Sequence, residues 1–201
     1  RLELGSPLAN GNWNLLAWQA DVDHIMDNFS LREAMMKMLT DSETETRGLR
    51  LTLDQSPDAR TDWAIGVDVE TNNWYAERFG GANLDMLTSV LWPDVDRDRF
   101  GLFAERFYRV NPELKLGGGV RYDRVEMSAG AADDLFGSGM MAMSAADAYE
   151  LIYGTTNTDV TDDNFSGFVS SDWRFSPVQS LVVTASHSVR SPGVTERYIA
   201  S

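Results

Sequence analysis

Apolar and polar residues alternate with a period of two over most of this chain. In Leu16, Trp18, Ala20 and Val22 the even positions are apolar, while Gln19, Asp21 and Asp23 between them are polar. Leu49, Leu51 and Leu53 alternate with Arg50, Thr52 and Asp54, and Trp63, Ile65, Val67 and Val69 with Ala64, Gly66, Asp68 and Glu70. The same rhythm runs through Leu114 to Asp123, Phe165 to Phe175 and Leu181 to Arg190. This is the pattern of half-buried strands with two unlike faces. Phe100 to Val110 also reads as a strand, of undecided facing. About seven strands are expected.

The connections alternate in length. Ser56-Pro57-Asp58-Ala59, Val110-Asn111-Pro112-Glu113 and Ser176-Pro177-Val178-Gln179 are short turns, each placing Pro where no ladder donor is needed. Between them lie long connections, Asp27 to Glu43, Asn72 to Arg97 and Met127 to Asp163. Tight turns on one rim and large loops on the other predict an all-β, antiparallel up-and-down sheet forming part of a transmembrane β-barrel. Short helices are expected within the loops, at Leu31–Leu39 and at Ala145–Tyr153, where strong helix formers cluster. Trp13, Trp18, Trp63, Trp74, Tyr75, Tyr108, Tyr122, Trp173 and Tyr198 lie mostly near strand ends, as an aromatic girdle would. Arg50, Asp68, Arg121 and Asp123 then fall to a wet interior. Closure needs eight or more strands, so residues 1–201 are expected to be one partial barrel.

Composition narrows the function classes. Seventeen basic against 31 acidic residues give a formal charge of −14. That argues against nucleic-acid binding, which requires a basic face, and suits cationic ligands or a cell-surface setting. With no cysteine, disulfides, thiolate metal sites and Cys nucleophiles are excluded within these residues. No apolar run reaches the ~18 residues of a membrane helix. His187 and Ser188 are adjacent on a strand pattern and point to opposite faces, so they do not form a base–nucleophile pair; no catalytic residues are assigned. Gly117-Gly118-Gly119 lies inside a strand pattern and reads as curvature or close packing rather than a phosphate loop.

The candidate chemistry is a soft-metal pair, His24-x-Met26. Imidazole and thioether together favour copper over hard cations. A Met-dense segment follows (Met35, Met36, Met38), and Met140-Met141-Ala142-Met143 repeats its spacing. Met36, Met38, Met141 and Met143 are therefore secondary candidates. Asp23 and Asp27 flank the pair, as acceptors orienting the imidazole or as ordinary surface acids. If the even positions from Leu16 to Val22 met lipid, His24 and Met26 would face outward as well. A bulge near Asp23 is then expected to re-aim them.

Gly101-Leu102-Phe103-Ala104-Glu105, the Asn-Pro turn, Leu116 to Asp123, and Ser186-His187-Ser188-Val189-Arg190-Ser191-Pro192-Gly193-Val194-Thr195-Glu196-Arg197-Tyr198 resemble TonB-dependent outer-membrane receptors. In that superfamily a strand ends in an Arg-(Ser/Ala)-Pro stretch followed by a Glu-x-Tyr-like element. The run His24 to Arg32 resembles the copper receptors of this superfamily, where an HxM pair from the barrel joins a Cys and a Met of a plug domain. The resemblance implies an outer-membrane receptor with copper, as Cu(I) or Cu(II), for its transported ligand. It further implies outer-membrane lipid around the barrel and a TonB complex reached through the plug. The alternatives are a receptor for a siderophore or other metal chelate, or a soluble β-rich adhesion module.

Overall fold

The computed structural model describes residues 1–137 and 142–199. Eight strands form one antiparallel sheet in the order β1-β2-β3-β4-β5-β6-β9-β10. They are β1 (Leu2–Leu8), β2 (Gly11–Asp27), β3 (Met38–Gln55), β4 (Thr61–Gly80), β5 (Met86–Arg109), β6 (Leu114–Ala129), β9 (Val160–Ser176) and β10 (Gln179–His187). A two-stranded pair, β7 (Leu135–Phe136) with β8 (Met143–Ser144), and helix α1 (Ala145–Tyr153) lie between β6 and β9; helix α2 (Val194–Tyr198) follows β10. The three short turns fall where the sequence puts them. The strand missing from the expected set is β1. It is joined to β2 by the two residues Ala9 and Asn10, between the paired Leu8 and Gly11, with Pro7 tolerated in a short edge strand.

Register converts the alternation into two walls. Leu4, Leu15, Leu51, Val67, Leu102, Tyr122 and Phe165 stand opposite one another in turn, making one apolar row across seven strands. The row one residue away reads Leu16, Arg50, Asp68, Gly101, Asp123 and Asn164. The apolar side stays open: Leu51, Ile65, Leu102, Val120, Phe165 and Val183 are all more than 40% exposed. A belt of that kind meets hydrocarbon, and transmembrane barrels carry one about 25 Å tall. Trp63, Tyr108 and Trp173 sit on this outer face near its lower rim, as girdle residues, while Tyr122 stands within the belt opposite Leu102. Trp18 and Trp74 instead point inward, and Tyr198 is 2% exposed in a core, so those three leave the expected girdle.

Higher up, the preference reverses. The row Val22, Thr44, Trp74, Val95 and Ala129 is largely apolar and faces inward, while Asp21, Glu45, Asn73 and Asp96 face out. The strands have risen past the lipid; water now bathes the outer face, and the inner face supports packed loops. The even positions from Leu16 to Val22 are therefore inward residues, and the lipid facing weighed for them does not hold. The same register also corrects two loops. Asn72 to Arg97 is mostly a β4–β5 ribbon, paired up to Gly80 and Met86. Asn72 and Asn73 pair in register with Arg97 and Asp96; Gly81 (φ 97°) and Leu84 (φ 59°) take left-handed backbone at the tip, and Asp94 (φ 51°) does so at the register shift beside Trp74.

The expected helix at Leu31–Leu39 does not form. The β2–β3 ladder continues to Asp27 and Leu39, so only residues 28–37 remain to reverse the chain. Asn28 closes that loop, its side chain donating to the Met36 carbonyl (3.0 Å) and accepting from the Met38 amide (2.9 Å). The second helix forms as expected. Ser144 and Asp147 make a reciprocal capping box (3.1 and 2.8 Å), and Gly154 at φ 71° ends α1 with its amide on the Glu150 carbonyl.

Leu102 lies mid-belt on the outer face. Leu102→Arg in the full-length protein is expected to cost about 2–4 kcal/mol of folding stability, measured by denaturant titration in lipid bilayers. The inward Thr52→Arg is expected to cost much less.

Candidate functional site on the inner wall

The β2–β3 ladder is continuous from Gly11–Gln55 to Asp27–Leu39, without a register shift. His24 and Met26 therefore keep the parity of Leu16, whose partner Arg50 faces Asp68 on the inner wall. No bulge re-aims them, and none is needed. The bulges lie two strands away, between β4 and β5. His24 stands opposite Ser42 and Met26 opposite Thr40. Met38, two residues before Thr40, shares that face on the neighbouring strand, diagonal to Met26 at a separation long side chains span. The adjoining row is built of small residues. Ser42 and Ala76 are 5% and 1% exposed, and the Ser42 hydroxyl donates to the His24 carbonyl (3.0 Å).

The secondary methionines divide. Met38 and Met143 line one pocket of about 430 Å³ with Arg78, Phe136, Leu151 and Ile152. Met36 stands in the β2–β3 loop, 76% exposed, and is not brought to the pair. Met141 lies outside the described residues, as does Met140. Asp23 faces outward opposite Glu43. Asp27 accepts from the amides of Phe29 and Ser30 and from the Ser30 hydroxyl, which holds its carboxyl below the usual carboxylate range. Both acids serve the surface and the turn rather than the imidazole. Among the described residues no group of three or more His, Cys, Asp and Glu converges as a metal cage; the donors gathered here are one imidazole and thioethers. His187 stands opposite Gly167, and Ser188 lies beyond the last ladder pair of β10.

Lower on the same wall sits a charge network. The Asp68 carboxylate, fully buried, receives Arg121 at 3.0 and 3.1 Å, Arg99 at 3.2 Å and Arg50 at 3.8 Å. Arg121 also donates to Asp123 (2.5 and 2.7 Å). Arg97 and Arg99 approach Glu70 at 3.4 and 3.6 Å. Arg50, Asp68, Arg99 and Arg121 come from four consecutive strands, so the network braces the wall sideways. Gly101 makes it possible: a Cβ there would lie 2.3 Å from an Arg121 nitrogen and 3.0 Å from Asp68. Other inner glycines admit rings. Trp18 lies on Gly48, Phe103 on Gly66, Phe107 on Gly117 and Phe168 on Gly119. The triple glycine thus contributes close packing, as the sequence suggests, with the packed partners being aromatic rings of adjacent strands.

Above the network, the segment from Val189 to Ile199 folds back over the wall as a strap. The Val189 amide donates to Ser166 (3.0 Å) and Asn164 to Ser191 (2.8 Å). Arg190 grips Glu196 with both terminal nitrogens (2.6 and 2.8 Å), and the Gly193 amide donates to the same carboxylate (2.6 Å). Val194 and Tyr198 enter a core with Val95, Val125, Met127, Ala145 and Tyr149. Tyr149 donates to the Tyr198 carbonyl and Tyr198 to the Thr158 carbonyl. Burial pushes the Tyr198 phenol up to about 12, so it stays a donor. The Arg-Ser-Pro and Glu-x-Tyr elements are the two ends of this strap.

An antiparallel wall, apolar outside and charged inside, with long ribbons on one rim, defines an outer-membrane β-barrel protein. The family described as TonB dependent receptor-like, beta-barrel matches residues 3–201, and this chain belongs to it. Among solved structures it is similar to one titled "Copper transporter OprC", at 25% identity and a TM-score of 0.72, over 92% of this chain and 30% of that one. It also resembles the ferric yersiniabactin uptake receptor FyuA from Yersinia pestis, at 9% identity and a TM-score of 0.63, over 90% and 26% of the two chains. That second likeness shows the fold. The chain thus spans under a third of either relative's length. No curated protein matches it.

Two outcomes follow. Asp68→Ala leaves three guanidinium groups around a vacated carboxylate and is expected to cost about 3–5 kcal/mol, read as a lowered denaturant midpoint of the full-length protein. For the strap, its hydrogen bonds hold the Glu196 carboxyl down to about 2, below its ordinary 4.3 or so. A depressed carboxyl contributes stability that is complete above the unfolded value and lost as pH falls through the folded one. Hydrogen exchange at Gly193 is therefore expected to stay protected down to about pH 4 and to rise between pH 4 and 2. Glu196→Gln is expected to abolish that pH dependence.

Proposed function

We propose that this chain is part of an outer-membrane receptor that takes up copper ions, with the His24 imidazole and the Met26 thioether as the wall's contribution to the copper site. One observation carries the reading: the unbroken β2–β3 register sets both side chains on the inner face, beside Met38. One ring nitrogen and one or two sulfurs suit Cu(I), which accepts low coordination numbers and soft donors. The neighbouring positions on that face of β3 and β4, Thr40, Ser42 and Ala76, are small. The likeness to a protein titled a copper transporter supports the same cargo. Ligands beyond the wall would come from a plug domain, as the copper-receptor resemblance implies, and uptake would draw on the TonB complex through that plug.

The test is copper binding by the full-length receptor in detergent, with a competing chelator to fix the affinity. The double variant His24→Ala/Met26→Ala is expected to weaken copper binding by at least about tenfold while leaving the melting temperature in place, since loss of even outer-shell partners costs metal sites 10–100-fold. Unchanged affinity in the double variant would overturn the site. Uptake of iron chelates but not copper by cells expressing the receptor would overturn the cargo.

A further inference from the structure

Arg78 is a cation without an acid. It projects inward from β4, in the row Met26, Thr40, Arg78 and Ser89. Among the described residues its printed hydrogen bond is a long one to the Thr40 hydroxyl (3.5 Å), and no carboxylate lies within ion-pair distance of it. Its inward neighbours on the wall fare differently: Arg50, Arg97, Arg99 and Arg121 all meet carboxylates. In a chain of net charge −14, a half-buried guanidinium left unpaired runs against the rule that buried charges are paired.

Its surroundings say what would pair with it. Arg78 lines the pocket of about 430 Å³ together with the polar Thr88 and Ser89 and the apolar Met38, Phe136, Met143 and Ile152, among others. Leu151 and Ile152 are 81% and 54% exposed, so α1 leaves apolar surface open at the pocket's lip. A mostly apolar cleft of a few hundred Å³ with a small number of polar groups is the usual form of a small-molecule site. A guanidinium is matched in shape and charge by a carboxylate, which takes two parallel N–H donors.

We propose that this pocket binds a small amphiphilic carboxylate, its acid group on Arg78 and its apolar body along Phe136, Met143 and the exposed flank of α1. The pocket shares Met38 with the surroundings of the copper pair, but its carboxylate-binding end is distinct from that pair. Thr40 lies between Met26 and Arg78 in the ladder, so the two sites stand about 10 Å apart at the ordinary strand spacing. The pocket involves neither His24 nor Met26.

The experiment uses the full-length receptor in lipid nanodiscs, without metal, titrated with 2-naphthoate and followed by the naphthoate fluorescence. Neutral 2-naphthamide serves as the isostere. Saturable naphthoate binding is expected, about tenfold weaker in Arg78→Met, which keeps an unbranched apolar stem and removes the charge. The naphthamide is expected to bind weakly and equally to both proteins. A second variant, Ile152→Asp, introduces an acid at the lip and is expected to weaken naphthoate and spare naphthamide. No saturable naphthoate binding, or equal binding by wild type and Arg78→Met, would overturn the proposal. With metal absent throughout, its failure and that of the copper reading are distinguishable.

Discussion

A backbone crossing hydrocarbon has no water to pair with, so every amide and carbonyl must find its partner in the neighbouring strand. The rest of this structure depends on that constraint. It forces long, unbroken ladders, and an unbroken ladder transmits parity from one strand to the next. Once Asp68 is fixed on the inner wall, Arg50, Gly101 and Asp123 are fixed with it, and so are Trp18, His24 and Met26, two, eight and ten residues along β2 from Leu16. A residue's facing here is settled by the lipid belt well below it, even where its own surroundings are water.

The same constraint accounts for the two chemistries of a single strand. Within the bilayer the outer face must be apolar, and the inner face is free to carry charge. Above it the outer face is wet, and the apolar residues move to the inner face, where they receive α1 and the strap. Val95, Val125 and Met127 belong to strands whose lower halves send apolar residues outward; all three point in. The only sizeable core among the described residues is therefore an extracellular one, built on the inner wall. The covering loops, rather than the sheet alone, give the mouth of the barrel its shape.

Strand positions, turns and membrane setting were legible in the sequence because each has a local signal. Period-two alternation marked the strands, Pro marked the tight turns, and clustered helix formers marked α1. Facing was legible only where a strand crossed lipid. At Leu16 to Val22 the alternation was read correctly and its sense weighed as lipid-facing, because the reversal above the bilayer leaves no mark in one strand. It becomes visible when Val22 is aligned with Thr44, Trp74 and Val95. The helix expected at Leu31–Leu39 failed for a related reason: helix propensity is local, whereas the pull to extend the ladder to Leu39 comes from the partner strand. Of the candidate site, the His24–Met26 pair could be found from spacing alone. Its neighbour Met38 and the lone cation Arg78 could not, since both depend on register across three strands.

The two inner-wall features carry opposite electrostatics, and their order along the barrel axis matters. The Asp68 network holds four guanidinium groups against three carboxylates, Asp68, Glu70 and Asp123, and lies below the level of His24. A cation held at the upper rim thus has a positively biased wall beneath it and an acidic outer surface around it. Fields in a confined, low-dielectric passage are felt more strongly than on an open surface. The acidic exterior concentrates cations near the mouth, and the arginines oppose their free descent. On the proposed copper reading, the imidazole and thioethers retain a soft metal by bonding rather than by charge, which a carboxylate cage would not achieve so selectively. An anion would meet the reverse gradient, repelled by the exterior and drawn to the arginines once inside. Whatever crosses this wall must therefore exchange one kind of attraction for another at the height of β2's upper end.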